Sequence, residues 1–226
     1  MAFGLTGVPA TFQHAMNATL APVLRKYALV FFDDILIYSN TYEEHLQHLS
    51  TVLSILRRDK WQVKMSKCTF AQQKVAYLGY VISAEGVATD NSKIQTILSW
   101  PTPTTLKELR AFLGLCGYYR KFIQFYAIIS QPLTALLKKC TLFVWTDAIE
   151  TAFQTLKRAL VSAPVLALPN YKMQFVVETD ACDVGIAVVL SQQGHPIAYV
   201  RRALGSRNQG LSVYEKEYLA ILLAVQ

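Results

Sequence analysis

The pair Asp33-Asp34 is the sharpest chemical feature of the sequence. It separates two short runs of apolar and aromatic residues, 28–32 and 35–38, a pattern typical of a β-hairpin. Two carboxylates about 5 Å apart repel each other by about 3 kcal/mol at an effective dielectric constant of about 20. A divalent cation removes this cost, and Mg²⁺ typically binds one or two carboxylates together with substrate phosphates. The pair therefore predicts a Mg²⁺ site, with a solvated turn as the alternative, because Asp also favours turns.

His45 and His48 form an H-x-x-H spacing in a segment whose leucines repeat at helical intervals. Two histidines one turn apart can bind a transition metal, but no Cys or third His lies near them in the sequence. A surface or core-edge role is therefore favoured over a metal site. The four cysteines are far apart and form no C-x-x-C pair, so neither a zinc site nor a disulfide scaffold is predicted.

The elements that must position these side chains are predicted from periodicity and capping signals. Phe12, Met16 and Leu20 repeat at the spacing of one helix face. Ser or Thr followed three residues later by Glu predicts the start of a helix, and this pattern occurs at Thr41/Glu44, Thr105/Glu108 and Ser212/Glu215. Strands are predicted over residues 75–83, 174–179, 186–191 and 196–200, and a helical stretch over residues 118–139 is expected to break near Pro132.

Composition and charge narrow the class of protein. The chain has 226 residues, of which 53% are hydrophobic and 16% charged, so a disordered chain is excluded and one or two domains are expected. No uninterrupted apolar stretch approaches the ~18 residues of a membrane span. Residues 1–140 hold 15 Lys and Arg against 8 Asp and Glu, whereas residues 141–226 hold 7 of each class. The basic surplus of the first part favours a polyanionic partner such as nucleic acid.

The order and spacing of several motifs resemble the reverse transcriptases of Gypsy-type LTR retrotransposons. These motifs are Phe3-Gly-Leu-Thr-Gly-Val-Pro-Ala-Thr-Phe-Gln13, Phe31-Phe-Asp-Asp34, Tyr77-Leu-Gly-Tyr80, Phe112-Leu-Gly-Leu115 and Tyr118-Tyr-Arg-Lys-Phe-Ile123. In that family the hairpin with paired Asp belongs to the palm of the polymerase and holds catalytic metal ions. The resemblance therefore implies that Asp33 and Asp34 bind Mg²⁺ or Mn²⁺. Phe31 stands where the family usually has Tyr, which keeps the ring but removes a hydroxyl.

The same resemblance implies substrate-binding roles for other residues. The Phe3–Gln13 segment resembles the loop and helix that lie over the template and the incoming nucleotide, and residues 77–81 resemble the primer grip. The implied contacts to template, primer or deoxynucleoside triphosphate are Phe3, Gly4, Gln13, Leu78, Gly79, Tyr80, Lys107, Arg110, Arg120 and Lys121. The last four are basic and fall in the expected helical thumb, where they could contact backbone phosphates. A solvated helix face is the alternative for each.

The C-terminal segment resembles the start of the ribonuclease H domain that follows such polymerases. Asp180 in Thr179-Asp-Ala181 and Glu217 in Glu215-Lys-Glu217 take the positions of its first two acidic ligands. The resemblance therefore implies that Asp180 and Glu217 are catalytic metal ligands for the hydrolysis of an RNA/DNA hybrid. Cys182 stands where Ser is usual in that family.

The resemblance implies an α+β chain with a partial polymerase palm (a hairpin-rich sheet with helices), a helical thumb and a truncated ribonuclease H-like α/β domain. The expected limits are residues 1–88 for the palm, 89–140 for the thumb, 141–170 for a connecting helix and linker, and 171–226 for the ribonuclease H-like part. The implied function is RNA-directed DNA polymerase with ribonuclease H, and the alternative is a non-enzymatic remnant that binds nucleic acid. The family's remaining acidic ligands would fall outside residues 1–226, so both sites are expected to be incomplete.

Overall fold

The computed structural model describes residues 7–139, 141–183 and 185–225. Contacts within the chain divide it into two compact units, Met1–Leu78 and Gly79–Gln226. Phe3 and Gly4, two of the predicted substrate contacts, lie outside the described residues. Within the described part of the chain, no helix is long and apolar enough to cross a membrane.

The first unit packs two helices against a two-stranded hairpin. Its elements are helix α1 (Val8–Leu20), strands β1 (Ala28–Phe31) and β2 (Asp34–Ile37), helix α2 (Tyr42–Arg58) and strand β3 (Lys74–Tyr77). The core between them contains Met16, Leu20, Val23, Ala28, Val52, Ile55 and Leu56. An isolated two-stranded hairpin is only marginally stable in water. Packing of hairpin residues, among them Ala28, Val30 and Ile35, against the core shared with the two helices therefore helps to hold this hairpin in place.

The second unit begins with a β-hairpin and a group of helices. These are β4 (Tyr80–Ser83), β5 (Gly86–Thr89), α3 (Asn91–Leu98), α4 (Leu106–Tyr118), α5 (Tyr126–Ala135) and α6 (Asp147–Val161). Their shared core includes Leu109, Phe112, Phe122, Leu133, Phe153 and Leu156. The largely buried Lys157 donates from Nζ to the carbonyl oxygens of Leu98 and Trp100. It thereby satisfies acceptors at the C-terminal end of α3, which the helix itself leaves unpaired.

The second unit ends with a sheet and two helices. Strands β6 (Val176–Ala181), β7 (Gly185–Gln192) and β8 (His195–Ala203) pair antiparallel in that order, and helices α7 (Ser206–Gln209) and α8 (Val213–Val225) follow. Helix α8 packs on β6 and β7, with Ala220 buried against Ile186 and Leu204. The backbones of Val87 in β5 and Leu166 exchange two hydrogen bonds of 2.8 and 2.9 Å. This pair joins the β4–β5 hairpin to the segment that precedes the sheet.

The three helix starts predicted from capping boxes are confirmed. Thr41, Thr105 and Ser212 each accept a hydrogen bond from the backbone N–H three residues later, at 3.2, 3.2 and 3.4 Å. In the third box, Glu215 also accepts from the Ser212 backbone N–H at 2.8 Å. The starts of α2, α4 and α8 are therefore predictable from local signals alone.

Two predicted elements are wrong in detail. The strand expected over residues 75–83 is interrupted, because Leu78 and Gly79 have φ values of 50° and 74°, which no extended strand tolerates. Pro132 lies inside α5 instead of breaking it. Leu133 next to it is fully buried in the helical core, and we infer that this packing outweighs the low helix propensity of proline.

Candidate catalytic hairpin and nucleic-acid interface

Asp33 and Asp34 lie at the tip of the β1–β2 hairpin, and both are exposed. The register pairs Phe31 with Asp34, so Phe32 and Asp33 form the turn and Asp34 is the first residue of β2. The turn therefore lies one residue earlier than the sequence predicts, at residues 32–33 instead of 33–34. Phe32 has a φ of 50°. A positive φ at the first central residue is what the mirror-image two-residue hairpin turns require, and their twist matches that of paired strands.

Gln13 of α1 holds this turn through its side-chain amide. Its Oε1 accepts a hydrogen bond from the Phe32 backbone N–H at 2.6 Å, and its Nε2 donates to the Val30 carbonyl at 3.3 Å and to Asn17 Oδ1 at 2.8 Å. The role implied for Gln13 by resemblance, a contact to template or nucleotide, stays a prediction. No local pattern signals the contact to the hairpin, since Gln13 and Phe32 are 19 residues apart.

The Gln13→Ala variant is expected to loosen the turn that carries Asp33. The change removes two hydrogen bonds to the hairpin backbone, each worth about 1 kcal/mol. The Phe32 amide should therefore exchange its hydrogen with solvent about tenfold faster or more. Asn17→Ala is the matched control, because it removes the remaining partner of Gln13 without touching the hairpin. Equal acceleration in both variants would contradict the assignment.

The donor set at the hairpin tip suits an oxygen-preferring cation. Two adjacent carboxylates offer the ligands that Mg²⁺ and Mn²⁺ prefer. Among the described residues, no cluster of three or more His, Cys, Asp or Glu is placed to hold a metal ion, so these two carboxylates are the ligands that this hairpin offers. Burial raises the pKa of the Tyr77 phenol, and the negative charge of Asp34 raises it further. Asp34 is therefore close enough to influence Tyr77 electrostatically.

The predicted primer-grip residue Gly79 is tied to the helices by tyrosines. The Tyr119 hydroxyl donates to the Gly79 carbonyl at 2.9 Å, and the Tyr80 ring stacks on Tyr118 with ring centres 5.2 Å apart. A Cβ at Gly79 would lie 3.0 Å from the Tyr119 oxygen, and φ there is 74°, so glycine is strongly favoured. Burial raises the pKa of Tyr119 to about 12, so this hydroxyl keeps its hydrogen at neutral pH.

The four basic residues predicted to bind phosphate occupy two kinds of environment. Lys107 and Arg110 lie on the exposed face of α4, and Arg120 is exposed just beyond that helix. The Lys121 ammonium lies 4.0 Å from the centre of the Tyr80 ring, a cation–π geometry, and burial lowers its pKa. Lys121 is exposed like the other three, but its ammonium also contacts the tyrosine cluster.

Asp180 and Glu217 lie on neighbouring elements of the C-terminal sheet and helix. Asp180 is exposed on β6 opposite Ala187, and Glu217 is half-buried on α8, which packs against β6. The adjacent Lys216 is only 5% exposed, and its Nζ bonds Asp183 Oδ1 at 2.8 Å. This hydrogen bond lowers the pKa of Asp183. The ion pair, which the sequence did not predict, ties α8 to the loop after β6.

A cleft of about 720 Å³ opens beside Asp180. Arg120 and Lys121 line it from the helical side, and Cys182 and Arg202 line it from the sheet. The Cys182 thiol donates to the Gly185 carbonyl at 3.2 Å. The cleft therefore places two of the predicted phosphate-binding residues and a predicted metal ligand along one surface.

Comparison with protein families finds a match for the N-terminal region, which carries Asp33 and Asp34, and for the C-terminal region, which carries Asp180 and Glu217. Residues 1–82 match the reverse transcriptase (RNA-dependent DNA polymerase) family, and residues 145–226 match the RNase H-like domain found in reverse transcriptase. The chain therefore contains a reverse transcriptase region joined to a ribonuclease H-like region, the class of protein predicted from its motifs.

The curated relatives of this chain include transposon-encoded polyproteins. The chain is 42% identical over its full length to the retrovirus-related Pol polyprotein from transposon 297 of Drosophila melanogaster, and covers 21% of it. It is 35% identical over its full length to the transposon Tf2-3 polyprotein of Schizosaccharomyces pombe, and covers 17% of it. The chain is similar over its full length to these transposon polyproteins and spans about a fifth of their length.

Solved structures of a foamy viral protease-reverse transcriptase share the fold. One, in complex with double-stranded DNA, has a TM-score of 0.87 and 25% identity, covering 96% of this chain and 39% of that chain. Another, in complex with an RNA/DNA hybrid, has a TM-score of 0.85 and 25% identity, covering 98% of this chain and 31% of that chain. The predicted α+β fold with reverse transcriptase and ribonuclease H-like regions is confirmed.

Proposed function

We propose that this chain is part of an RNA-directed DNA polymerase with ribonuclease H activity from a Gypsy-type LTR retrotransposon. The observation that carries the proposal is the exposed Asp33-Asp34 pair on a turn fixed by Gln13, within a region that matches reverse transcriptases. The matches to both enzyme families favour this function over a non-enzymatic remnant. As part of this proposal, the palm ends at residue 88, the thumb at residue 140, and the connecting segment before the ribonuclease H-like part at residue 170.

In the proposed polymerase chemistry, a primer 3′-hydroxyl attacks the α-phosphate of a deoxynucleoside triphosphate, the bond between the α- and β-phosphates breaks, and pyrophosphate leaves. Asp33 and Asp34 would hold Mg²⁺ or Mn²⁺, which when bound neutralises charge on the reacting phosphates. Such a reaction depends on the alignment of its partners, and a misplacement of about 1 Å can cost about 100-fold in rate. Gln13 contributes by fixing the turn, and Tyr119 contributes by fixing the Gly79 carbonyl of the proposed primer grip.

The proposed nucleic-acid partners are a primed RNA or DNA template and an RNA/DNA hybrid. The complexes of the foamy viral enzyme with double-stranded DNA and with RNA/DNA hybrid support these partners. Lys107, Arg110 and Arg120 are exposed cations, suited to backbone phosphates without reading sequence. For hybrid cleavage we assign Asp180 and Glu217 as the metal ligands, since α8 and β6, which carry them, pack together.

A salt titration of nucleic-acid binding tests the proposed interface. The Lys107→Gln/Arg110→Gln variant should bind a primer–template duplex about tenfold or more weakly at low salt, because two exposed cations are lost from α4. The slope of log affinity against log salt should become shallower by about 1.8, which corresponds to two released phosphate contacts. Filter binding with two unrelated duplex sequences provides the measurement, and both should respond equally.

The matched control is Arg158→Gln/Lys172→Gln. It removes the same charge from exposed positions in residues 141–226, which carry no basic surplus. Its affinity and salt slope should stay close to those of the unsubstituted chain. Equal losses in the two double variants would mean that binding follows net charge, and the proposed interface on α4 would be wrong.

A further inference from the structure

The two histidines of the H-x-x-H motif lie at the open end of the β1–β2 hairpin, away from Asp33. His48 Nδ1 is 2.7 Å from Ser39 Oγ, and the His48 ring stacks on Tyr27 with ring centres 3.7 Å apart and planes 4° from parallel. His45 Nδ1 is 3.3 Å from the same Ser39 oxygen. Tyr27 directly precedes β1 and Ser39 follows β2, so α2 contacts the chain on both sides of the hairpin's open end.

These contacts are satisfied without a metal ion. A serine hydroxyl has one hydrogen to donate, and the shorter distance fits donation from Ser39 to His48 Nδ1. The longer distance fits donation from the His45 ring N–H to the Ser39 oxygen. The Ser39 hydroxyl and the Nδ1 atoms of both histidines then have partners, an arrangement that fits the core-edge role favoured for this motif.

The orientation of the open end of the hairpin, here called its base, determines the position of the turn at its tip. At about 3.4 Å per residue, four-residue strands place the turn about 14 Å from that base, so a tilt of about 5° would move the tip by about 1 Å. The Tyr38 N–H donates to the Tyr27 carbonyl at 3.0 Å and closes the base, while Gln13 holds the tip. The hairpin is therefore fixed by α2 at one end and by α1 at the other.

We infer that His48 is a positioning residue for the polymerase site: its contacts with Ser39 and Tyr27 set where the hairpin presents Asp33 and Asp34. The inference rests on the proposed function of those carboxylates as metal ligands. His45 supports the same arrangement through Ser39. The H-x-x-H motif would thus affect the position of the Asp33-Asp34 pair about 14 Å away, because the two paired strands between them are rigid.

Hydrogen exchange in the full chain tests the inference, with His48→Phe and Ser39→Ala as variants. His48→Phe keeps an aromatic ring for stacking on Tyr27 but loses the hydrogen bond, and Ser39→Ala removes that bond from the other side. In both variants the Tyr38 amide at the base and the Phe32 amide at the tip should exchange about tenfold faster. The amide of the buried Val52 in α2 should be unchanged. His14→Phe, at an exposed position of α1, is the matched control.

The readouts separate positioning from a purely structural role. Faster exchange at Val52 as well would indicate general destabilisation and would overturn the inference, as would an unchanged rate at the Phe32 tip. Mn²⁺ titration of the same variants should show binding about tenfold weaker, as expected when a group that orients a metal ligand is lost; unchanged Mn²⁺ affinity would also overturn it. Failure of the unsubstituted chain to bind Mn²⁺ would instead overturn the proposed metal site, and with it the positioning role, whatever the exchange rates.

Discussion

The Asp33→Asn variant is expected to lose Mn²⁺ binding at the hairpin tip. Two exposed carboxylates form a weak site, for which we expect a dissociation constant of about 1 mM or above, or about 4 kcal/mol of binding free energy at most. Removing one of the two charges should leave too little attraction for measurable occupancy. Asn has the size of Asp and is also suited to turns, so the hairpin should persist. Paramagnetic broadening of NMR signals from Phe32 and Ile35 measures the binding.

A matched carboxylate controls for the loss of charge itself. Asp59→Asn removes the same charge from the end of α2, where Asp59 bonds Arg58 at 2.8 Å. Broadening near the hairpin tip should be unaffected by this change. Persistent broadening in Asp33→Asn would show that Mn²⁺ binds elsewhere, and the tip would lose its assignment as the metal site.

The elements of this fold follow largely from local sequence signals. Thr41, Thr105 and Ser212 begin their helices as their capping boxes predict, because a cap depends on residues only three positions apart. The period of the apolar residues likewise predicts α1 with its buried Met16 and Leu20. Signals of this kind need no knowledge of the rest of the chain.

Strand boundaries depended on backbone conformations that the residue types do not reveal. Phe32 and Leu78 both have φ of 50°, although large side chains rarely adopt the left-handed region. The turn at Asp33 was therefore misplaced by one residue, and the break between β3 and β4 was missed. At Phe32, the hydrogen bond from its N–H to the distant Gln13 side chain supports a conformation that local propensity disfavours.

The polar contacts that position the candidate sites were beyond prediction for a different reason. Gln13 and Phe32 are 19 residues apart, and Lys216 and Asp183 are 33 apart. No sequence pattern links the two members of either pair, and Gln and Lys are common on solvated helix faces. The family resemblance supplies the carboxylates, whereas only the fold shows which side chains hold the elements that carry them.

The Gly86→Ala variant is expected to destabilise the second unit by about 3 kcal/mol or more. Gly86 has a φ of 134°, and a Cβ there would overlap the Leu166 carbonyl. That carbonyl accepts the 2.8 Å hydrogen bond from Val87 N–H, one of the two bonds that join β5 to the segment before the sheet. A non-glycine residue in such a conformation carries a backbone strain of about 1–3 kcal/mol. This strain adds to the loss of about 1 kcal/mol for each broken hydrogen bond.

Gly194→Ala separates these two contributions within the same unit. Gly194 lies in the turn between β7 and β8 with a φ of 76°, and nothing stands within 4 Å of a Cβ there. This variant should cost only the conformational strain, about 1–2 kcal/mol. Urea unfolding of both variants gives the difference, which should be about 2 kcal/mol in favour of Gly194→Ala. Equal losses would mean that the Val87–Leu166 pairing yields to the added methyl group, and that Gly86 is needed for its φ alone.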